Sequence, residues 1–209
     1  MAQIKKQAVA EAILEAATTL FRERGYSRTS MAEIARTAHT STSNIYVYFY
    51  SKLDILFAIY EPWLEERLVG LEEEIEALPT HRERLVRVLD MFWRELPTAD
   101  NGFANNVMQA LSTAMPDEPY DRTLLDRMLE RLSRMIRKSL PPHRRATCDE
   151  SDLAYIVFMA FDGIAMRNQL RSGGARVDRS IQMMADLLLA DPAAFTERDT
   201  SPPYLLRSS

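Results

Sequence analysis

Three helix-start signals lie within residues 30–54 and leave no room for a strand between them. They are Ser30 with Glu33, then Thr40 or Ser41, and then Ser51 with Asp54. A hydroxyl followed three residues later by an acid is typical of a capping box, in which the two residues satisfy free amides at a helix start. The spacing therefore predicts three successive helices joined by tight turns, beginning near Met31, Ser41 and Lys52.

The second of these helices, which we expect to end near Phe49, carries hydroxyls, an amide and phenols but no charge. A longer helix precedes the group, with an apolar stripe from Ile4 to Arg24 that ends before Gly25. Two short helices with a tight turn between them are typical of a helix-turn-helix, whose second helix enters the major groove of DNA.

Helical periodicity continues to the end of the chain and predicts an all-α protein of about nine helices. We divide it into a three-helix head, residues 1–51, and a helical body, residues 52–209, for ligand binding and dimerisation. The predicted body helices cover 52–78, 81–96, 103–115, 120–140, from 149 or 151 to 171, and 178–190. Pro62 is expected to kink or break the first of them. The tail from residue 191 is expected to be extended.

Composition excludes several classes of protein. The longest apolar run, Ala154 to Phe161, is far shorter than the ~20 residues of a membrane span. The N-terminus does not read as a signal peptide, and the single Cys148 fits a reducing cytoplasm. The net charge is −4, but residues 1–60 hold seven Lys/Arg against five Asp/Glu, a balance of +2. A mildly basic head on an acidic body suits a protein that grips phosphates at one end only.

A set of residues in the head carries a family resemblance. These are Ile13-Leu-x-Ala-Ala-x-x-Leu-Phe21, Gly25-Tyr26, Thr29-Ser30, Ile34-Ala35, Ala38, Ser41, Tyr46-x-Tyr48-Phe49, Ser51-Lys52 and Leu56. With them, residues 13–57 resemble the TetR/AcrR family of bacterial transcriptional regulators. The resemblance implies an all-helical homodimer whose heads bind a palindromic double-stranded DNA operator and whose bodies bind a small-molecule inducer.

The candidate DNA-binding residues follow from the helix pattern and from this resemblance. They are Thr29, Ser30, Thr40, Ser41, Thr42, Ser43, Asn44, Tyr46, Tyr48 and Lys52. Asn can bond adenine edges and Ser or Thr can bond bases or phosphate, while Thr29, Tyr48 and Lys52 match family positions that hold the DNA backbone. The alternatives are that Ser30 and Ser41 only cap helices and that Tyr46 is a core aromatic residue.

Two residues depart from the family pattern. His39 lies in the turn where the family usually has Gly, at a position that often needs a positive φ. It is either a tolerated turn residue facing solvent or a cation near phosphate that makes DNA binding pH-sensitive. Ser43 also replaces a frequent Gly, which affects how far the second helix reaches.

The body offers candidates for a hydrophobic or amphipathic inducer. They are Met91, Phe103, Asn106, Met128, Tyr155, Phe158, Met159 and Asp162. Met and aromatic side chains adapt to irregular guests, and buried polar groups need a partner. The alternative is that these residues only pack the core and that Asp162 pairs with Arg167 or Arg137.

The last two long helices carry small and apolar residues that fit a homodimer interface, although packing within one subunit would explain them too. An enzyme is not expected, because the three His are scattered and no metal-binding, phosphate-binding or dinucleotide motif occurs. We therefore expect no catalytic residues, metal or cofactor. The sequence predicts a DNA-binding regulator, as a ligand-responsive repressor; the alternative is a helical small-molecule-binding or adaptor protein without sequence-specific DNA binding.

Overall fold

The computed structural model describes residues 2–99, 101–113, 123–169 and 174–190. Regular structure in these ranges is entirely helical, so the all-α prediction is confirmed. The helices are α1 (Ala2–Arg24), α2 (Met31–Thr37), α3 (Thr42–Ile45), α4 (Lys52–Ala77), α5 (His81–Asp90), α6 (Phe103–Thr113), α7 (Thr123–Ser139), α8 (Pro142–Arg145), α9 (Glu150–Gln169) and α10 (Gly174–Leu189). The predicted loop at Pro116–Pro119 and the predicted extended tail from residue 191 lie outside the described residues.

The predicted helix starts are confirmed in atomic detail. Ser30, Ser41 and Ser51 each accept a hydrogen bond from the backbone amide three residues on. Ser30 and Ser51 form complete capping boxes with their acidic partners, and Thr80 forms a third at the start of α5. Each cap satisfies an amide that the helix itself leaves free, so local chemistry alone sets these boundaries.

Several boundaries differ from the prediction. The helix expected over 81–96 is α-helical only to Asp90 and then continues as a π-helical turn, Met91–Glu95, and a 3₁₀ turn, Leu96–Thr98. Pro97 has no amide to continue the α-helical ladder. The stretch expected as a loop after residue 140 contains α8, whose first residue is a proline, where no amide is needed.

The last helix begins at Gly174, four residues before the predicted start at residue 178. In the second turn of α10 the carboxylate of Asp178 pairs with Arg94, at 2.7 Å. Near the middle of the chain, α4 continues through Pro62 as one unbroken helix, so the expected break does not occur.

The head is packed around a small apolar centre. Ile13 of α1, Ile34 of α2 and Ile45 of α3 are fully buried, and Ala35 supplies a small side chain where α2 crosses its neighbours. Burying a side chain of this size stabilises the fold by about 1.5–3 kcal/mol. The head is therefore anchored from inside, which leaves the outer surface of α3 available.

The body surrounds α4 and α9. Contacts between α7 and α9, and between α5 and α10, join its layers, and Arg131 of α7 pairs with Glu65 and Glu72 of α4. Trp93, in the π-helical turn, donates its indole N–H to the Val157 carbonyl of α9 at 3.0 Å. None of the helices described is both long and apolar enough to span a membrane.

Two amides of α6 tie the body to the head. The Asn106 carbonyl oxygen accepts the Tyr26 backbone N–H at 2.9 Å, and the Gln109 carbonyl oxygen accepts that of Ser27 at 2.9 Å. The Asn106 amide also donates to the Tyr60 hydroxyl of α4 at 2.9 Å. A Cβ on Gly25 would lie 2.9 Å from the Gln109 side chain, and its φ is +80°. The positive φ favours glycine at this position, and a Cβ would in addition displace the Gln109 amide that binds the Ser27 N–H.

His39 occupies the left-handed position of a Schellman turn that ends α2. Its φ is 52°, the Thr40 N–H donates to the Ala35 carbonyl at 2.9 Å, and its own N–H donates to that of Arg36 at 3.3 Å. In the described part of the chain it is the one residue other than glycine with positive φ. The expectation of a positive φ in this turn is therefore confirmed.

Replacing His39 changes the strain stored in this turn. His39→Gly should raise the free energy of unfolding by about 0.5–1 kcal/mol, because glycine adopts positive φ without a Cβ clash. His39→Val should lower it by roughly 1–2 kcal/mol, because a β-branched residue fits this region poorly. Urea denaturation followed by circular dichroism measures both. A glycine variant less stable than the valine variant would contradict the assignment.

Removing the Asn106 amide tests the link between α6 and the head. Asn106→Leu keeps the volume but leaves the Tyr26 N–H buried without its acceptor, which should destabilise the protein by about 1–3 kcal/mol. The Tyr26 amide should lose protection from hydrogen exchange while the protein stays folded. Asn105→Ala, at the exposed neighbouring position, should leave that protection intact. Equal protection in both variants would show that the bond does not hold the head.

Candidate functional site

The orientation of α3 is set by one buried side chain. Ile45 is fully buried against the head, so the opposite side of α3 faces solvent. Beyond Ile45 the chain keeps helical hydrogen bonds as far as Phe49, with Tyr48 bonded three residues back and Phe49 four residues back, both to Ile45. The predicted second helix is thus shorter as a regular α-helix, but its helical course reaches the predicted end.

The residues expected to read DNA line this outer surface. Ser43 and Tyr46 are exposed, whereas Thr42, Asn44 and Tyr48 are half-buried. They form one uncharged polar face of hydroxyl, amide and phenol groups.

Asn44 is held in place by its neighbour. Its amide nitrogen donates to the Thr40 hydroxyl at 2.8 Å, which fixes the side chain and leaves its carbonyl oxygen and second N–H for another partner. An amide with one free donor and one free acceptor is the group that pairs with an adenine edge.

Both capping serines are also accessible. Ser30 and Ser41 are exposed, while Ser41 accepts the Asn44 N–H at 3.1 Å and shares a hydrogen bond of 3.0 Å with Ser43. The Ser30 hydroxyl accepts the Glu33 N–H at 3.2 Å and donates its own proton to the Glu33 carboxylate at 2.8 Å, so it keeps only one lone pair for a further partner. Ser30 can donate to phosphate only if its proton leaves the Glu33 carboxylate, and a DNA contact by either serine stays a prediction.

Thr29 and Lys52 point into the head. Thr29 is 2% exposed and donates its hydroxyl to the Gly25 carbonyl at 3.0 Å. The Lys52 ammonium donates to the carbonyls of Tyr26 and Thr29 at 2.9 and 2.8 Å and lies 4.0 Å from the centre of the Tyr26 ring. Burial lowers the pKa of Lys52. Both residues hold the loop before α2, and a backbone contact by either stays a prediction.

Two residues on the same surface were not singled out from the sequence. Val47 is 68% exposed and Tyr50 is 91% exposed, next to Tyr46. Apolar side chains of this size in open solvent indicate a contact surface. The sequence carries no clear signal for this exposure, because Val47 lies between the apolar residues Ile45 and Phe49, and only the burial of Ile45 shows which side faces out.

The predicted ligand residues do not form one group. Met91, Phe103, Asn106 and Met128 are buried and pack in the core, whereas Tyr155 and Met159 are exposed on the outside of α9. Three cavities of about 830, 470 and 330 Å³ are lined by residues outside this set.

Part of the set does surround an aromatic cluster between α4, α6 and α9. The Phe103 ring lies 5.3 Å from Tyr60, 5.2 Å from Trp63 and 6.3 Å from Phe161, and the Phe161 ring lies 5.7 Å from Phe158. Asn106, one helical turn after Phe103, connects this cluster to Tyr60 through its hydrogen bond. The hydrogen-bonded link to the head therefore begins at the cluster.

Asp162 adjoins Phe161 in sequence and is half-buried. Burial raises its pKa, and within the described residues its carboxylate forms no hydrogen bond or ion pair. The alternative pairing with Arg137 is not present, because Arg137 pairs with Glu150. A partly desolvated carboxyl group without a partner can accept a ligand donor.

The outer faces of α9 and α10 are apolar. The exposed large apolar side chains here are Tyr155, Ile156, Met159, Met166, Met183 and Leu187. Patches of this kind indicate interaction sites rather than ordinary surface.

Two relatives similar to this chain in sequence are named as transcriptional regulators. Residues 13–59 match the family model of bacterial regulatory proteins, tetR family. The chain is 36% identical over 129 residues to the HTH-type transcriptional regulator HbdR of Aromatoleum sp. (strain CIB), an alignment that covers 61% of this chain and 54% of HbdR. It is 28% identical to BetI of Rhizobium meliloti, over 86% of this chain and 87% of that regulator.

The fold agrees with a solved structure. FadR of Bacillus subtilis in complex with stearoyl-CoA superposes with a TM-score of 0.58 over 86% of this chain and 97% of that one, at 18% identity. At that identity the likeness concerns the fold alone. The head therefore matches the tetR family of bacterial regulatory proteins, and the fold of the chain is similar to that of FadR.

Proposed function

We propose that this protein is a DNA-binding transcriptional regulator that acts as a ligand-responsive repressor and binds a palindromic operator as a homodimer. The observation that carries the proposal is the uncharged polar surface of α3, held outward by the buried Ile45 on a head matched to the tetR family. In the proposal, residues 1–51 bind DNA and residues 52–209 bind the ligand and form the dimer.

The DNA-binding residues have separate tasks. Thr42, Ser43, Asn44 and Tyr46 read base edges in the major groove, since hydroxyl and amide groups pair with bases there. Ser30, Thr40, Ser41 and Tyr48 hold the phosphate backbone and fix the register, and Thr29 and Lys52 support them from within the head.

The dimer interface is the apolar outer face of α9 and α10. Two heads must present two α3 helices to half-sites at a fixed spacing, which requires a stable pair of bodies. Exposed Met159 and Tyr155 of α9, and Met183 of α10, are suited to a self-complementary contact.

The ligand is a small hydrophobic or amphipathic molecule that enters the aromatic cluster between α4, α6 and α9. Asp162 and Asn106 would orient its polar part, and Phe103 and Phe158 would contact its apolar part. The similar fold of Bacillus subtilis FadR, solved in complex with stearoyl-CoA, supports an amphipathic ligand of this general kind. Binding changes the operator affinity only if the ligand binds the two states of the protein differently.

The experiment that tests the proposal is fluorescence anisotropy of the purified protein on labelled DNA from upstream of its own gene, with a scrambled duplex as control. The expected result is tighter binding to the upstream DNA, saturating at one dimer per site, at two salt concentrations. Binding that falls equally for both duplexes as salt rises would indicate a merely basic surface. That outcome would favour the alternative of a helical adaptor protein without sequence-specific DNA binding.

Substitutions on the α3 surface should separate sequence reading from backbone binding. Asn44→Ala should weaken operator binding by about 1–3 kcal/mol and reduce the preference over scrambled DNA. Tyr48→Phe, which removes one hydroxyl, should lower the affinity for both duplexes by the same factor, so the ratio of the two affinities should not change. Anisotropy titrations of both variants measure this. If Asn44→Ala leaves the ratio unchanged, Asn44 does not read bases.

A charge on the outer face of α9 should break the dimer. Met159→Glu places a carboxylate in a desolvated contact, so the variant should elute with the mass of one 24.0 kDa chain, whereas the wild type should have about twice that mass. Val69→Glu, at an exposed apolar position on α4, is the matched control and should stay dimeric. Light scattering coupled to gel filtration measures the mass. A dimeric Met159→Glu variant would place the interface elsewhere.

A further inference from the structure

A basic cavity lies at the end of the body farthest along α4 from the head. Its volume is about 330 Å³. Ile75, Glu76, Arg84, Arg137, Lys138 and Arg145 line it. These residues come from the C-terminal end of α4, the first turns of α5, the last turn of α7 and α8.

The charge of this cavity opposes the charge of the chain. Four cations and one carboxylate line it, an excess of three positive charges, on a protein whose net charge is −4. The ion pair between Arg137 and Glu150 reduces the local excess to two. Lys138 hydrogen-bonds to Glu76, and this cation together with Arg84 lowers the pKa of the Glu76 carboxyl group. The single negative charge of Glu76 is thus smaller than the positive charge of the cations around it.

Two of the arginines are held in fixed orientations with donors to spare. The Arg84 Nε donates to the Leu78 carbonyl at 2.8 Å, and the Arg145 Nε donates to the Leu140 carbonyl at 2.8 Å. Within the described structure the terminal nitrogens of Arg84 make no hydrogen bond, and one terminal nitrogen of Arg145 has only a long contact of 3.4 Å to the Lys138 carbonyl. A guanidinium group fixed through Nε presents its remaining N–H groups to a planar or tetrahedral anion at little further entropic cost.

The cavity lies too far from the proposed DNA-binding surface for its cations to contact DNA bound there. α4 begins at Lys52, directly against the head, and reaches the cavity at Ile75 and Glu76. At 1.5 Å per residue, this run of helix is about 35 Å long. The cations also complement the C-terminal end of α7, where basic groups interact favourably with free carbonyls. That interaction explains their proximity but not the unused donors that face the cavity.

We propose that this cavity binds the diphosphate group of a small molecule, with Arg84 and Arg145 as the principal donors and Lys138 as a supporting cation. A cavity of about 330 Å³ has room for a diphosphate but not for a strand of nucleic acid. The assignment goes beyond the proposed function, because it describes a second small-molecule site in the body. Ile75 in its lining lies about 20 Å along α4 from Tyr60 and Trp63 of the aromatic cluster.

Isothermal titration of the full chain with inorganic pyrophosphate, at 0.15 M NaCl and without DNA, tests the site. We expect saturable binding of one pyrophosphate per chain. Arg84→Gln and Arg145→Gln should each weaken it by roughly tenfold or more, since each removes charge-assisted hydrogen bonds. Glu76→Gln should strengthen it several-fold, because it removes the carboxylate that competes with the anion for Lys138 and Arg84.

Arg82→Gln is the matched control. It lies two residues from Arg84 on α5, loses the same charge, and faces Asp186 and Gln182 of α10 instead of the cavity. It should keep wild-type pyrophosphate affinity. Thermal melting of every variant shows whether a loss of binding reflects a loss of fold.

Three outcomes would overturn the proposal: no saturable binding to the wild type, equal weakening by Arg82→Gln, or a Glu76→Gln variant that binds no better. Titration with ADP distinguishes an organic diphosphate ester from free pyrophosphate as the ligand of this cavity. Tighter binding than pyrophosphate indicates an organic diphosphate ester, and equal or weaker binding indicates the free anion. Because no DNA is present, failure of the anion site leaves the DNA-binding proposal untouched, and the anisotropy experiment tests that proposal separately.

Discussion

The backbone of Tyr26 is the point on which the arrangement of head and body depends. Its N–H is bound by Asn106 of α6, and its carbonyl by Lys52 at the start of α4. The Tyr26 ring also lies against the Lys52 ammonium and the Phe21 ring. One residue is thus held by two body helices and packed on α1. If either body helix moves, these hydrogen bonds must break or the Tyr26 backbone must move with the helix. The orientation of the head therefore depends on the positions of α4 and α6.

This arrangement explains why the chain keeps polar groups in its interior. Asn106 is 1% exposed, and an apolar residue there would leave the Tyr26 amide without an acceptor. A buried hydrogen-bond network in which every group has a partner allows only one relative position of the helices it joins. Apolar packing alone is less specific. Lys52 has the same effect with a charge: its burial is offset by two carbonyls and an aromatic face. The stability of the junction and the geometry of the DNA-binding surface therefore depend on the same few hydrogen bonds.

Features that depend on contacts between residues close in sequence could be predicted, whereas features that depend on distant contacts could not. The caps at Ser30, Ser51 and Thr80 join residues three apart, so the start of each helix could be found from the sequence. The left-handed turn at His39 is predicted by the family resemblance, because the family usually has Gly at this position. The role of Asn106 could not be predicted, because its partner Tyr26 lies 80 residues away. The Lys52 side chain points into the head and Val47 is exposed because of tertiary packing, which a short sequence pattern does not predict.

The aromatic cluster and the head share residues, and this sharing gives the proposed ligand response a physical route. Phe103, in ring contact with Tyr60 and Trp63, precedes Asn106 by one helical turn on α6, and Tyr60 accepts the Asn106 N–H. A ligand that displaces the Phe103 ring must therefore shift either α6 or Tyr60. The hydrogen bonds of Tyr26 and Ser27 to α6 contribute about 0.5–1.5 kcal/mol each. Their combined loss is on the order of the 1–3 kcal/mol of coupling typical of allosteric proteins. No larger rearrangement is needed for a ligand in the body to change the operator affinity of the head.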